Sequence, residues 1–157
     1  MPLWHLYCPE GTYTAEDKQA FAERITELYS EFGIPRFYVS VVFQELPRES
    51  YFLGGEPADD FVRIWVHEIA RRVPEDARGW WMKRIRDMMA PLVADRGLRS
   101  EVHIDNTPRE LWSINGLKPP EAGSEEEKRW ALENRPSALV GPRGSPAEPP
   151  AAPGSLA

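Results

Sequence analysis

The sequence is poor in cysteine, in positive charge and in long apolar runs. Its 157 residues include one cysteine, Cys8, so no intrachain disulfide can form. The formal net charge is −6, which gives a nucleic-acid partner no overall electrostatic support. No apolar run reaches the roughly 18 residues that a spanning helix needs, and the N-terminus lacks the pattern of a secretory signal. We therefore expect a cytoplasmic protein with neither a membrane nor a nucleic-acid partner.

Familiar cofactor motifs are also missing. The three histidines, His5, His67 and His103, have spacings that match no compact zinc motif. The Gly54-Gly55 pair does not join a strand to a helix, as a phosphate-binding loop would. Cys8 ends a predicted strand, where a buried bystander is favoured over a nucleophile. The sequence therefore predicts chemistry without a metal or a cofactor.

The pattern that is present is a repeated β-α-β unit. Runs rich in β-branched and aromatic residues predict four strands, over residues 2–8, 37–43, 61–69 and 98–104. Apolar residues at helical spacing lie between the strands of each pair. Thr14 is a good N-cap for the first helix, and Pro74 suits the first turn of the second. The second unit follows the first at a spacing of about sixty residues, which indicates an internal duplication in pattern.

These units predict an α/β (α+β) fold. Each right-handed connection makes its two strands parallel, and the four strands can form one sheet with both helices on one face. The other face stays partly apolar, which favours oligomerisation. We place one domain at residues 1–120, with units 2–44 and 61–105. We expect a short helix or extension over residues 121–135 and a disordered tail rich in Pro, Ala and Gly over residues 136–157.

Pro2 stands between the initiator methionine and the first strand. Removal of Met1 would leave a free secondary amine with an unperturbed pKa near 8, by analogy with α-amino groups. Such an amine can serve as a general base near neutral pH. The alternative is that Pro2 is only a tolerated N-terminal residue.

Four further residues could contribute to a site beside Pro2. Arg71 and Arg72 close the third strand, where a guanidinium could fork onto a substrate carboxylate and lower the pKa of Pro2. The alternative is a solvated pair at a turn. Tyr29 lies on the first helix, and the alternative for it is a core or interface tyrosine whose hydroxyl is hydrogen-bonded. Trp112 could line a pocket.

Several segments together resemble a known family. They are Pro2, Phe43-Gln44-Glu45 with Pro47, Phe52-Leu53-Gly54-Gly55, Val66-His67 and Arg71. This set resembles the tautomerase superfamily, and within it the cis-3-chloroacrylic acid dehalogenase group, whose subunits are fused double units. The resemblance extends over residues 2–120. It implies a MIF-like fold, a homotrimer, a catalytic Pro2 and an Arg71 that binds the substrate carboxylate.

Other positions depart from the dehalogenase pattern. The family's helix-one histidine falls on Tyr29 and its strand-four tyrosine on His103. Its second active-site arginine falls on Pro74, although Arg72 could partly substitute. Its water-activating glutamate falls near Ile114 or Asn115, and the nearest acid is Glu110.

The missing glutamate decides which activity the sequence predicts. Hydration of an acrylate needs a base for water as well as a proton donor to carbon, whereas tautomerisation needs one shuttling group. We therefore predict a cofactor-free tautomerase of a small carboxylate-bearing dienol or an aryl enolpyruvate. Pro2 is its base, Arg71 and Arg72 bind the carboxylate, and three residues could donate to the enolate oxygen: Tyr29, His103 and Asn115. The alternatives are a cis-3-haloacrylate dehalogenase or hydratase, and a non-catalytic trimeric binding protein.

Overall fold

A computed structural model describes residues 1–69 and 73–138 of the protein. Its main elements are β1 (Leu3–Pro9), α1 (Ala15–Ser30), β2 (Ser40–Leu46), β3 (Phe52–Leu53), β4 (Glu56–Pro57), β5 (Phe61–Ile69), α2 (Arg78–Met89), β6 (Arg99–Thr107) and α3 (Glu125–Glu133). Arg71, Arg72 and most of the predicted tail lie outside the described residues. The division into domains stays a prediction.

Four strands form one sheet in the order β2-β1-β5-β6. Strands β1 and β2 are parallel, β5 and β6 are parallel, and the two pairs meet through antiparallel β1 and β5. This arrangement confirms the predicted four-stranded sheet built from two β-α-β units. The small hairpin β3–β4 lies between the two units.

Local chemistry explains why α1 begins where it does. The Thr14 hydroxyl accepts from the Asp17 backbone N–H at 3.1 Å, and the Asp17 carboxylate accepts from the Thr14 N–H at 3.1 Å. This reciprocal capping box satisfies two otherwise unpaired donors of the first turn. Arg96 donates to the same carboxylate and, with the capping bonds, holds the pKa of Asp17 well below its usual range.

Two predicted boundaries were wrong by a few residues. The strand predicted over residues 37–43 is β2, which begins at Ser40, because Arg36–Tyr38 form a 3-10 turn after Pro35. The second helix begins at Arg78 rather than beside Pro74. Pro74 is extended, and Glu75–Ala77 form a separate 3-10 turn before the helix.

The two faces of the sheet differ in their surroundings. Alternate residues of the central strands pack against the helices, and we call this the covered face: Trp4, Leu6, Ile64 and Val66 are fully buried there. The intervening residues form the open face, against which no helix packs in the described part of the chain. His5, Trp65, His67 and His103 contact one another on it. The alternation of the pleated strands produces this division.

The C-terminal extension folds back over the N-terminal end of β1. Tyr38, Ile114 and Trp130 are buried together, and Met1 packs against them. Helix α3 lies in this region. The Asn134 side-chain oxygen accepts from the Phe37 N–H at 3.0 Å and ties the end of α3 to the turn before β2. Within residues 1–69 and 73–138, no helix is long and apolar enough to cross a bilayer.

Candidate functional site

Pro2 is buried where β1 begins, on the covered face. Its carbonyl accepts from the Ser40 N–H at 3.0 Å, which fixes it against the start of β2. On its other side, Leu3 pairs with His67 in antiparallel register. One further step in that register sets Glu68 beside Pro2. The fold therefore places the buried Glu68 carboxylate next to Pro2.

A small cavity of about 40 Å³ confirms that these residues meet. It is lined by Met1, Pro2, Tyr29, Ile34, Tyr38, Glu68, Ile69 and Glu127. Met1 is half-buried and forms part of the wall. Its removal would therefore have two consequences, because it would free the Pro2 nitrogen and would also enlarge the cavity.

Tyr29 and Glu68 form a hydrogen-bonded pair in this wall. Their side chains are only 3% and 5% exposed. The Tyr29 hydroxyl donates to Oε1 of Glu68 and accepts from Nε1 of Trp4 at 3.2 Å. Burial raises the pKa of the Tyr29 hydroxyl well above its usual value, and the adjacent Glu68 charge raises it further. Tyr29 is thus a neutral donor to the carboxylate.

Opposing effects act on Glu68 itself. Burial raises the pKa of its carboxyl group. The hydrogen bond from Tyr29 and the positive charge of the Met1 ammonium lower it. The net direction is upward, so desolvation is the largest of these effects.

Sequence reasoning missed Glu68, although a signal was available. The buried residues of β5 alternate as Val62, Ile64, Val66 and Glu68, so an acid occupies a position that the pleat directs into the core. Buried carboxylates are rare in proteins unless they have a partner. An acid in phase with a core pattern, and beside the N-terminal proline, is therefore a candidate site residue.

Glu127 is a second acid that sequence reasoning missed. It lies in the first turn of α3 and is 6% exposed. Its Oε2 accepts from the Gly123 N–H at 2.7 Å, and its own N–H donates to the Ser124 hydroxyl at 3.2 Å. These bonds anchor the start of α3, and the same side chain lines the Pro2 cavity.

A neighbouring cavity of about 220 Å³ adjoins the Pro2 cavity. The two share Tyr38, Ile69 and Glu127 in their linings, and Arg109 lines the larger one. The Arg109 guanidinium donates to the Pro119 carbonyl at 3.0 Å and to the Glu121 carboxylate at 2.7 Å. A cationic group therefore lies one cavity away from Pro2.

The structure does not bring His103 to Pro2 within one subunit. Its ring stacks on Trp65 on the open face, and it lines two cavities of about 540 and 380 Å³ that do not include Pro2. His103 pairs with Trp65, three residues before Glu68 along β5. At roughly 3.3 Å per residue, His103 and Glu68 are therefore about 10 Å apart along the strand direction.

Asn115 and Trp112 lie in the segment after β6 and do not line the Pro2 cavity. Asn115 has φ +50° and precedes Gly116 with φ +80°, between the paired Ile114 and Leu117. Asparagine before glycine is favoured in such a tight turn, which accounts for the exposed Asn115. Trp112 is half-buried, and its Nε1 has no hydrogen-bond partner among the described residues.

Neither a metal site nor a reactive thiol emerges from the described residues. They contain no group of three or more His, Cys, Asp or Glu side chains that could hold a metal ion. Burial raises the pKa of the Cys8 thiol to about 11, which keeps it protonated at neutral pH. Two acids, Glu68 and Glu127, line the Pro2 cavity.

Two solved structures are similar to this chain over nearly their whole length. RhCC from Rhodococcus jostii RHA1 is 40% identical, with 87% of this chain and 99% of that chain covered at a TM-score of 0.83. A protein from the fungus Aspergillus fumigatus, described as a probable enzyme, is 41% identical, with 88% and 98% covered at a TM-score of 0.84. None of the curated proteins matches this sequence.

A more distant structure shares the fold, and a family model identifies the family. N1, a member of the cis-3-chloroacrylic acid dehalogenase family, shares the fold at 22% identity, with 84% of this chain and 97% of that chain covered at a TM-score of 0.69. The model of the Tautomerase_3 family, described as "Putative oxalocrotonate tautomerase enzyme", matches residues 1–135. The chain therefore belongs to the Tautomerase_3 family of the tautomerase superfamily.

Proposed function

We propose that this protein is a cofactor-free tautomerase that uses the Pro2 amine as its general base. The proposed substrate is a small carboxylate-bearing dienol or an aryl enolpyruvate. The observation that carries the proposal is the buried position of Pro2 beside the Tyr29–Glu68 pair, in a cavity that Met1 partly fills. An N-terminal amine in such a site can be a base near neutral pH.

The proposed reaction moves one proton. The Pro2 nitrogen takes the proton from the enol oxygen, which leaves a dienolate and a Pro2 ammonium. The ammonium then returns the proton to carbon, so the ketone forms and the amine is regenerated. The developing negative charge is stabilised by hydrogen-bond donors and cations around it.

The remaining roles are assigned to residues around this step. Arg71 and Arg72 are proposed to bind the substrate carboxylate. Of the three residues proposed to donate to the enolate oxygen, only Tyr29 lines the Pro2 cavity of the same subunit. His103 and Asn115 would need a neighbouring subunit to reach the substrate.

The test is the conversion of a dienol substrate, followed by proton NMR. P2A is expected to lower kcat/KM by about 100-fold or more, in keeping with the usual contribution of a positioned base. Intact mass must show that Met1 is absent from both proteins. An undiminished rate in P2A, or Met1 retained in the mature wild type, would exclude this function. Retained Met1 would favour the non-catalytic binding protein.

Glu127 favours a second candidate, a cis-3-haloacrylate dehalogenase or hydratase. The loop position of the family's water-activating glutamate holds no acid here, but α3 brings a buried carboxylate into the Pro2 cavity. Glu127 would take a proton from water as its oxygen attacks C3, while the Pro2 ammonium protonates C2. The resulting halohydrin would lose halide and a proton to give an aldehyde. Halide release that E127Q abolishes would support this reading, and no release at high enzyme concentration would exclude it.

We also propose that the protein is a homotrimer. The open face carries apolar and aromatic side chains, including Val42, which is 43% exposed. A fused 4-OT that shares the fold at 21% identity and a TM-score of 0.62 is described as an asymmetric trimer. Native mass spectrometry over a range of protein concentrations tests this assignment, and a monomer at all concentrations would contradict it.

A further inference from the structure

Glu68 carries a charge that the architecture of the fold does not explain. Placing a carboxylate in the core costs free energy even when it is hydrogen-bonded. Its bond from Tyr29 requires only an acceptor oxygen, which a neutral amide would supply equally well. The feature that needs an explanation is therefore the negative charge itself.

Among the described residues, the N-terminal end of the chain offers a cationic partner for that charge. Tyr29 donates to Oε1 of Glu68, and the second oxygen of a carboxylate can accept from another donor. Glu68 and Pro2 line the same small cavity, and strand register sets them side by side on the covered face. Once Met1 is removed, the Pro2 nitrogen is the group at the N-terminal end of this cavity.

We propose that Glu68 is the counter-ion of Pro2, and that its carboxylate accepts a hydrogen bond from the Pro2 ammonium formed during each turnover. This inference rests on the proposed function and deepens it. The amine lone pair takes the substrate proton, the new N–H donates to Glu68, and the same proton returns to the substrate carbon. Glu68 keeps its charge throughout, so it is a positioning residue and not the proton carrier.

Other groups around Glu68 are compatible with this role. Tyr29 approaches from α1 as a neutral donor, and Tyr38 lines the cavity from the turn before β2. Glu127 approaches from α3 and brings a second carboxyl group to the lining of the same cavity. Asn106, the register partner of Glu68 on β6, is uncharged. Arg71 and Arg72 come later in the sequence and lie outside the described residues.

The direct test is the titration of Pro2 in protein labelled with ¹⁵N-proline, without substrate. In E68Q we expect the midpoint of the Pro2 titration to fall by about one pH unit or more, because an opposite charge at short range is lost. The rising limb of the kcat/KM profile should move to lower pH by the same amount. E101Q is the matched control: it removes an acid of the neighbouring strand that pairs with Arg63 and should leave the midpoint unchanged.

An identical Pro2 midpoint in wild type and E68Q would overturn the inference, even if P2A shows that Pro2 is essential. If E68Q does not fold, Y29F provides a second test. It leaves the Glu68 carboxylate without its present donor, so the Pro2 midpoint should rise, and an unchanged or lower midpoint would overturn the inference. Met1 retained in the intact mass would overturn both this inference and the proposed function.

Discussion

The covered and open faces of the sheet are built from the same strands but differ in the polar side chains that they carry. On the covered face, β1 and β5 contribute almost only apolar side chains, and Glu68 is the exception. On the open face the same strands carry His5, Trp65 and His67. A polar group costs little on a face that water or another subunit can reach, whereas it is costly in a core. A buried acid among the covered residues of β1 and β5 is therefore more informative than histidines on the open face.

The largest expected difference between the two faces is the cost of removing an apolar side chain. Ile64 is fully buried on the covered face, so I64A should lower the free energy of unfolding by about 2–5 kcal/mol. Val42 lies on the open face, and V42A should cost less than about 1 kcal/mol in the isolated subunit. Urea denaturation at low protein concentration measures both.

The same pair of variants also tests what covers the open face. If subunits associate through it, the cost of V42A should grow as protein concentration increases, because folding is then linked to association. I64A should show the same cost relative to wild type at each concentration. Equal costs for the two variants in a dilute monomer would contradict the distinction between the faces.

The strand pattern made the fold predictable. Two β-α-β runs separated by a turn-rich segment predict parallel pairs, and alternation of apolar residues defines the covered face. The third helix was also predictable as an element, because Ser124 and three acids mark its start. Its position was not, since the bond between Phe37 and Asn134 joins segments 97 residues apart.

The candidate site was only partly predictable. Pro2 could be identified from its place behind Met1, and Tyr29 from a resemblance, but their common cavity depends on strand register. His103 is a titratable residue in a strand, and nothing local in the sequence shows that its ring stacks on Trp65 away from Pro2. Glu127 enters the site only because the extension folds back over β1.

A smaller effect on stability is expected from replacing Glu68, the buried acid of the covered face, with a neutral residue. Burial raises the pKa of the Glu68 carboxyl above its ordinary 4.5, so this carboxyl is harder to ionise in the folded state than in the unfolded state. Its burial costs least below pH 4.5, and the cost grows as pH rises through the raised value. E68Q keeps an acceptor for Tyr29 but carries no charge. It should therefore melt at a higher temperature than wild type at neutral pH.

That gain should shrink as pH falls from the raised pKa of Glu68 toward 4.5, and its charge-dependent part should be absent below 4.5, where Glu68 is protonated in both the folded and the unfolded states. Calorimetry between acidic and neutral pH measures it, with E101Q on the exposed strand as the control. A lower melting temperature for E68Q than for wild type at every pH would show that the Glu68 charge stabilises the fold. That result would contradict the prediction.

The smallest effect should come from His103. H103F keeps an aromatic ring to stack on Trp65 and removes the titratable nitrogens, so the open face retains its packing. If the chemistry belongs to the covered face of one subunit, kcat/KM should change by less than about 3-fold, far below the factor expected for a positioned base. A loss as large as that of P2A would mean that His103 of one subunit reaches the Pro2 cavity of another. The open face of one subunit would then be part of the active site, together with the covered-face cavity that contains Pro2 and Glu68 in another subunit.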